Sequence, residues 1–295
     1  MRHHLNSIKH WILSHVEPFL PEGQKHIIWQ PMKKKTQYTL LLLVTCIIVR
    51  LTYVAYQFYA PPYLREPYLM KHQDDTLRIA YIGDSWAFMH KDHDCEMSKF
   101  ITETLHRPVR VHSYGICGLT SKEIYENMYE NADFKHFLQK RPYEYCFISA
   151  GINDTYKKMS TQYYKQSMDG IIQLLLYNNI RPIILEIPDY DIQKAYNWQK
   201  SLRKILRDIS MCINDTPVDC KQMFREALDE LIIEKGYQDQ VRIIRYKTWN
   251  NNYHDDLKRL YVHDGMHLNN LGYAKLDSVI ALEIINTINR THGNK

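Results

Sequence analysis

The chain has 295 residues, 45% hydrophobic and 24% charged, and a formal net charge of +5. These proportions exclude a disordered or low-complexity chain, and the length admits one large domain or two small ones. Much of the positive charge sits in Arg2, Lys9, Lys25, Lys33, Lys34 and Lys35. The remainder is near balance, which argues against a broad nucleic-acid surface.

In residues 1–37, a basic segment, Leu5, Ile8, Ile12, Val16 and Phe19 recur at helical spacing. They read as a short interfacial helix or as a helix packed on the protein. Residues 38–60 then form one apolar run broken only by Arg50, long enough for a transmembrane helix. A central arginine costs roughly 2.5–3.5 kcal/mol on insertion scales, and each Leu, Ile, Val or Phe returns roughly 0.3–0.6. The arginine stem can also reach toward the interface. A cleaved signal fits less well, because Pro61 and Pro62 follow directly. A buried helix of a soluble protein is the alternative. Lysines cluster ahead of the run, so the positive-inside rule puts the N-terminus in the cytoplasm and the bulk of the chain outside the cell membrane. Residues 61–76, with Pro61, Pro62 and Pro67, read as a stiff linker, and 77–295 as the globular domain.

Within 77–295, short apolar runs alternate with amphipathic ones. Strands are expected at 77–83, 107–115, 145–151, 181–188 and 241–246, and helices at 120–129, 161–179, 193–209 and 269–288. Thr120 and Ser121 are cap residues for the first of these helices. Such alternation implies an α/β fold whose parallel sheet is covered on both faces, with ligand sites at the carboxyl ends of the strands.

Unusual residues fall at those ends. Gly83-Asp84-Ser85 closes the first strand, "YGICGLTS" around Gly118 follows the second, "AGIND" with Asn153 and Asp154 follows the third, and "VHDGMHLNNLGY" precedes the last helix. A serine hydroxyl attacks carbonyls only when a base takes its proton, and histidine suits that work at neutral pH. The imidazole in turn needs an acceptor to fix its tautomer. Asp264 stands three residues before His267, within reach across a local turn. The oxyanion formed needs donors aimed at it, which strand-end N–H groups and an asparagine amide supply.

These four segments resemble the signature blocks of the SGNH (GDSL-type) hydrolase superfamily. The resemblance covers about 77–295. It implies a three-layer α/β/α sandwich with a flavodoxin-like parallel sheet of about five strands, preceded here by the transmembrane helix. It also implies catalytic Ser85, His267 and Asp264, and an oxyanion hole from the backbone N–H groups of Ser85 and Gly118 and the side-chain amide of Asn153. The Gly-x-Ser-x-Gly elbow of the α/β-hydrolases is absent, since Ala87 occupies its last glycine position.

Plainer readings exist for each residue. Ser85 would serve as a helix N-cap, Asn153 and Asp154 as a loop cap, and His267 as a surface histidine. The cluster "HKDHDCE" at 90–96 reads as a solvated helix start rather than a metal site, and the serine mechanism requires neither metal nor cofactor. The six cysteines include no C-x-x-C pair. Free thiols are the default, with a Cys212–Cys220 bridge open in an oxidising compartment. The 23 tyrosines hint at sugar stacking, although most are expected in the core. The expected activity is hydrolysis of carboxylic esters through an acyl-serine, with a short O-acyl group such as acetyl on cell-envelope glycans as substrate. An O-acyltransferase using the same acyl-enzyme, or a catalytically idle binding module, are the alternatives. The expected partners are an ester-bearing small molecule or glycan and, through the N-terminal helix, the membrane.

Overall fold

A computed structural model describes residues 34–70, 76–90, 94–197 and 201–293. The chain divides into two compact units, 1–60 and 61–295. The amphipathic pattern at 5–20 and the lysine cluster at 33–35 fall wholly or in part outside the described residues.

In the first unit, helix α1 (Lys34–Tyr59) exposes Leu41, Leu42, Leu43, Ile47, Ile48, Val49 and Leu51 to more than half of their surface. Over Thr36–Tyr59 it is long and apolar enough to cross a membrane.

The second unit holds five strands: β1 (Leu77–Gly83), β2 (Val109–Gly115), β3 (Tyr145–Ser149), β4 (Arg181–Leu185) and β5 (Arg242–Ile244). They pair all-parallel in the order β2-β1-β3-β4-β5, as an α/β alternation requires. Central β1 and β3 are buried almost throughout, which is why they read as continuous apolar runs rather than alternating ones. Between β1 and β2 lie α2 (Ser85–His90) and α3 (Asp94–Leu105); between β2 and β3 lie α4 (Ser121–Glu130) and α5 (Ala132–Lys140). Helices α6 (Ile152–Lys157) and α7 (Thr161–Tyr177) join β3 to β4. Then come α8 (Ile192–Asn197), α9 (Ser201–Asn214) and α10 (Lys221–Glu234), followed after β5 by α11 (Tyr253–Leu260) and α12 (Asn270–Gly293). Helices α3 and α12 pack on each other, as do α4, α7 and α10 in a second set.

The strand order reverses direction between β1 and β3. At such a switch point the connections leave to opposite faces and a crevice opens above the strand ends. Ser85 follows β1 and Asn153 follows β3, so the crevice is flanked by two of the four sequence segments.

The structure trims several expected elements for identifiable reasons. Strand β3 stops at Ser149 rather than 151, because Gly151 adopts φ +110° and opens α6. Strand β4 stops at Leu185, short of Pro188, which has no N–H to donate. The expected helix at 193–209 is represented by α8 and α9, with 198–200 outside the described residues. Residues 61–70 of the expected linker lie against the body of the second unit. The Arg65 N–H donates to Tyr125 Oη at 2.9 Å, Tyr68 Oη donates to the Met128 carbonyl at 2.8 Å, and the Met70 N–H donates to Asn178 Oδ1 at 2.6 Å.

Candidate active site

Gly83 ends β1 where a side chain has no room: a Cβ would stand 2.2 Å from the carbonyl oxygen of Ser149 on β3. The chain can therefore turn tightly into Asp84, whose N–H donates to that same carbonyl at 3.3 Å. Asp84 is fully buried and acts as a bracket. Its Oδ1 accepts from the Trp86 N–H at 3.0 Å, fixing the first turn of α2, and its Oδ2 accepts from Asn153 Nδ2 at 3.2 Å. Burial pushes the Asp84 carboxyl up to about 7, with the Asp154 charge adding to the shift and the hydrogen bonds opposing it.

Ser85, at the start of α2, is 7% exposed. His267 Nε2 lies 2.9 Å from Ser85 Oγ, and His267 Nδ1 lies 2.6 Å from Asp264 Oδ2. Three side chains separated by up to 182 positions thus form one hydrogen-bonded row. A short turn aims the imidazole. Asp264 Oδ1 accepts from the N–H groups of Met266 and His267 at 2.8 and 3.0 Å, and the Val262 N–H donates to the His267 carbonyl at 2.9 Å. Burial raises the Asp264 carboxyl, but the His267 side chain and the two N–H donors outweigh it, and the group sits below its ordinary value. It is therefore an anion at neutral pH, able to hold one imidazole tautomer and to stabilise imidazolium.

Asn153 lies in the first turn of α6 and reaches the row through Asp84. Next to it, Asp154 is buried and accepts from the Ser121 N–H at 2.8 Å and Ser121 Oγ at 2.6 Å. Burial lifts Asp154 to about 6. The segment after β2 is fastened to the end of β1 by the Ile116 N–H on the Gly83 carbonyl at 3.2 Å. Gly118 follows at φ +82°, with open space where a Cβ would be. The left-handed backbone, rather than crowding, is what calls for glycine there.

Several residues outside the four segments support the site. Tyr253 Oη donates to the Gly265 carbonyl at 2.7 Å and accepts from the Asp191 N–H at 3.1 Å, and Lys194 Nζ donates to the His263 carbonyl at 3.2 Å. All brace the turn bearing Asp264 and His267. One tyrosine among 23 carries no mark of this in the sequence; only the φ of +68° at Gly265 has a sequence trace, in the glycine itself.

The solvated reading of the 90–96 cluster fails at His90, which is buried, lies with Nδ1 3.0 Å from Ser113 Oγ and pairs through Nε2 with Asp277. Residues 91–93 lie outside the described residues. No group of three or more metal-ligating side chains occurs among the described residues. Cys212 and Cys220 are free thiols. Burial and the Asp84 charge push the exposed Cys117 thiol up, opposite to what a thiolate nucleophile needs.

No family model and no curated protein matches the chain. Among solved structures, a lipase/acylhydrolase from Enterococcus faecalis superposes with a TM-score of 0.51 at 16% identity, over 70% of this chain and 95% of that one. A GDSL-like lipase from Bacteroides thetaiotaomicron gives 0.44 at 14% identity, over 71% and 88%. An acetyl xylan esterase gives 0.47 at 14%, over 70% and 100%. Over the matched part, this chain shares the fold of that lipase/acylhydrolase.

Proposed function

We propose that this chain is a serine esterase that cleaves carboxylic esters through an acyl-Ser85 intermediate. One observation carries the reading: the Asp264–His267–Ser85 row, at 2.6 and 2.9 Å, ends on a hydroxyl at the carboxyl edge of the sheet. In this mechanism His267 Nε2 takes the Ser85 proton as Oγ attacks the ester carbonyl. The oxyanion is met by the N–H groups of Ser85 and Gly118 and by Asn153 Nδ2, whose second proton is free to point away from Asp84. Collapse expels the alcohol, which receives the proton from His267. Water, deprotonated by the same imidazole, then releases the acid. Asp84 is a positioning residue here, holding Asn153 and the first turn of α2 together.

The substrate we favour is a short O-acyl ester, such as acetyl, on a glycan at the cell surface. The membrane-compatible helix α1 supports a location at the envelope. A fluorophosphonate probe should label the wild-type chain at Ser85 and leave Ser85→Ala unlabelled. Failure to label a folded wild-type chain would refute the reading. Asn153→Ala should lower turnover by ~10²–10³-fold with Ser85 still present, the usual loss for one oxyanion donor.

A further inference from the structure

Helix α9 is built inside out. Its inward side is polar: Arg207 and Ser210 are buried, and the Arg207 guanidinium lies over the Tyr156 ring at 5.1 Å. Ser210 Oγ and Asn214 Nδ2 both donate to the Lys158 carbonyl, at 2.6 and 2.8 Å. Its outward side carries Ile205, Leu206, Ile209 and Ile213, each more than half exposed. Their spacing places them on one helical stripe. A surface helix of a water-soluble domain turns such a stripe toward the core. Here the helix cannot simply roll over, because rolling would take both donors off the Lys158 carbonyl and carry Arg207 outward. Lys158 directly follows α6, so the inward side of α9 is tied to the helix that bears Asn153.

The occupant is narrowed by size and by the rest of the chain. A stable protein interface needs about 800 Å² from each partner, well beyond four side chains on one helix. An apolar stripe on an otherwise polar helix is the form of a helix lying in a bilayer interface. Arg203, exposed at the start of α9, borders the stripe on one side and suits anionic headgroups, while Asp208 borders it on the other. Helix α1 supplies the bilayer, since it is long and apolar enough to cross one, and connectivity alone keeps the second unit near that surface. We propose that the apolar stripe of α9 seats the second unit on the lipid surface, so that the candidate site works on esters presented there. The seating itself stands without the esterase reading.

The test uses the full chain in vesicles of phosphatidylcholine and phosphatidylglycerol, with Cys46, Cys95, Cys117 and Cys212 replaced by serine. A nitroxide is attached at Ile209→Cys, at Ile213→Cys or, as reference, at Tyr177→Cys, which is exposed at the far end of α7. Collision rates with oxygen, which partitions into lipid, and with a water-soluble nickel chelate are measured for each. The oxygen-to-nickel ratio at 209 and 213 should exceed that at 177 severalfold. Equal, water-like ratios at all three positions would overturn the proposal. Spin–spin broadening at 209 and 213 with low access to both reagents would overturn it in favour of a second copy of the chain.

Discussion

Asp84 is a carboxylate in a place that penalises its charge. Its unfolded value is near 4, while burial lifts the folded value to about 7. Between these values the native state keeps a proton that the unfolded chain has released. The Asp84 contribution to stability is therefore greatest below about pH 4, falls as pH rises toward about 7 and levels off above it, by an amount on the order of 4 kcal/mol if Asp84 acted alone. Asp264 has the opposite sign, and its contribution is lost only as pH falls below the ordinary carboxylate range. Urea midpoints at pH 5 and pH 8 read the Asp84 sign without Asp264, with Asp154, lifted to about 6, adding in the same direction. Asp84→Asn should narrow the gap between them, and an unchanged gap would mean that burial of Asp84 is not its cause. The same variant should lose turnover, because one amide oxygen cannot accept from both Trp86 and Asn153. Retaining such a group despite its cost is understandable if it brackets the nucleophile turn to Asn153. The residues of that bracket were legible in the sequence, since Gly83, Ser85 and Asn153 stand at strand ends. Which residue Asp84 would hold was not, because a hydrogen bond between residues 69 positions apart leaves no local pattern.

At the level of elements, α4 shows how a cap organises a site. Thr120 Oγ1 accepts from the Glu123 N–H at 3.3 Å and Glu123 Oε2 accepts from the Thr120 N–H at 2.7 Å, a reciprocal capping box. One residue on, Ser121 is tied to Asp154 on α6. The cap is local and the tie is not, so their losses should differ in kind. Thr120→Ala should cost about 1 kcal/mol of stability and leave turnover nearly intact. Asp154→Ala strips two buried donors of their acceptor, costing roughly 1–3 kcal/mol, and should also reduce turnover by loosening α6 beneath Asn153. If the two variants lost turnover equally, the distinction between cap and tie would fall. Thr120 and Ser121 announced this helix in the sequence because caps are built from neighbouring residues. The short helices α2 and α6 were signalled only by cap-type residues at their starts, since six residues give periodicity too little length to register. The orientation of α9 escaped for another reason: a 3.6-residue pattern marks an apolar stripe without saying which way it faces.

At the scale of the molecule, the question is which compartment the second unit occupies. Thr36–Tyr59 contains five Leu, three Val, two Ile and one Phe against a single charge at Arg50. At roughly 0.3–0.6 kcal/mol for each apolar residue, these offset the ~2.5–3.5 kcal/mol of the arginine, which predicts insertion. The chain should remain in the membrane pellet after alkaline carbonate extraction, and Arg50→Leu should leave that outcome unchanged. For orientation, the positive-inside rule applied to the lysines at 33–35 predicts a cytoplasmic N-terminus and an extracytoplasmic second unit, and Cys117, exposed on that unit, is the reporter. In a Cys95→Ser, Cys212→Ser background, a membrane-impermeant maleimide should label Cys117 in intact cells, while Cys117→Ser removes that signal. Cys46 lies within α1, so it should not substitute for it. Labelling of Cys117 only after permeabilisation would place the domain on the cytoplasmic side. Substrates on the outer face of the envelope would then be out of its reach, whatever the chemistry at Ser85.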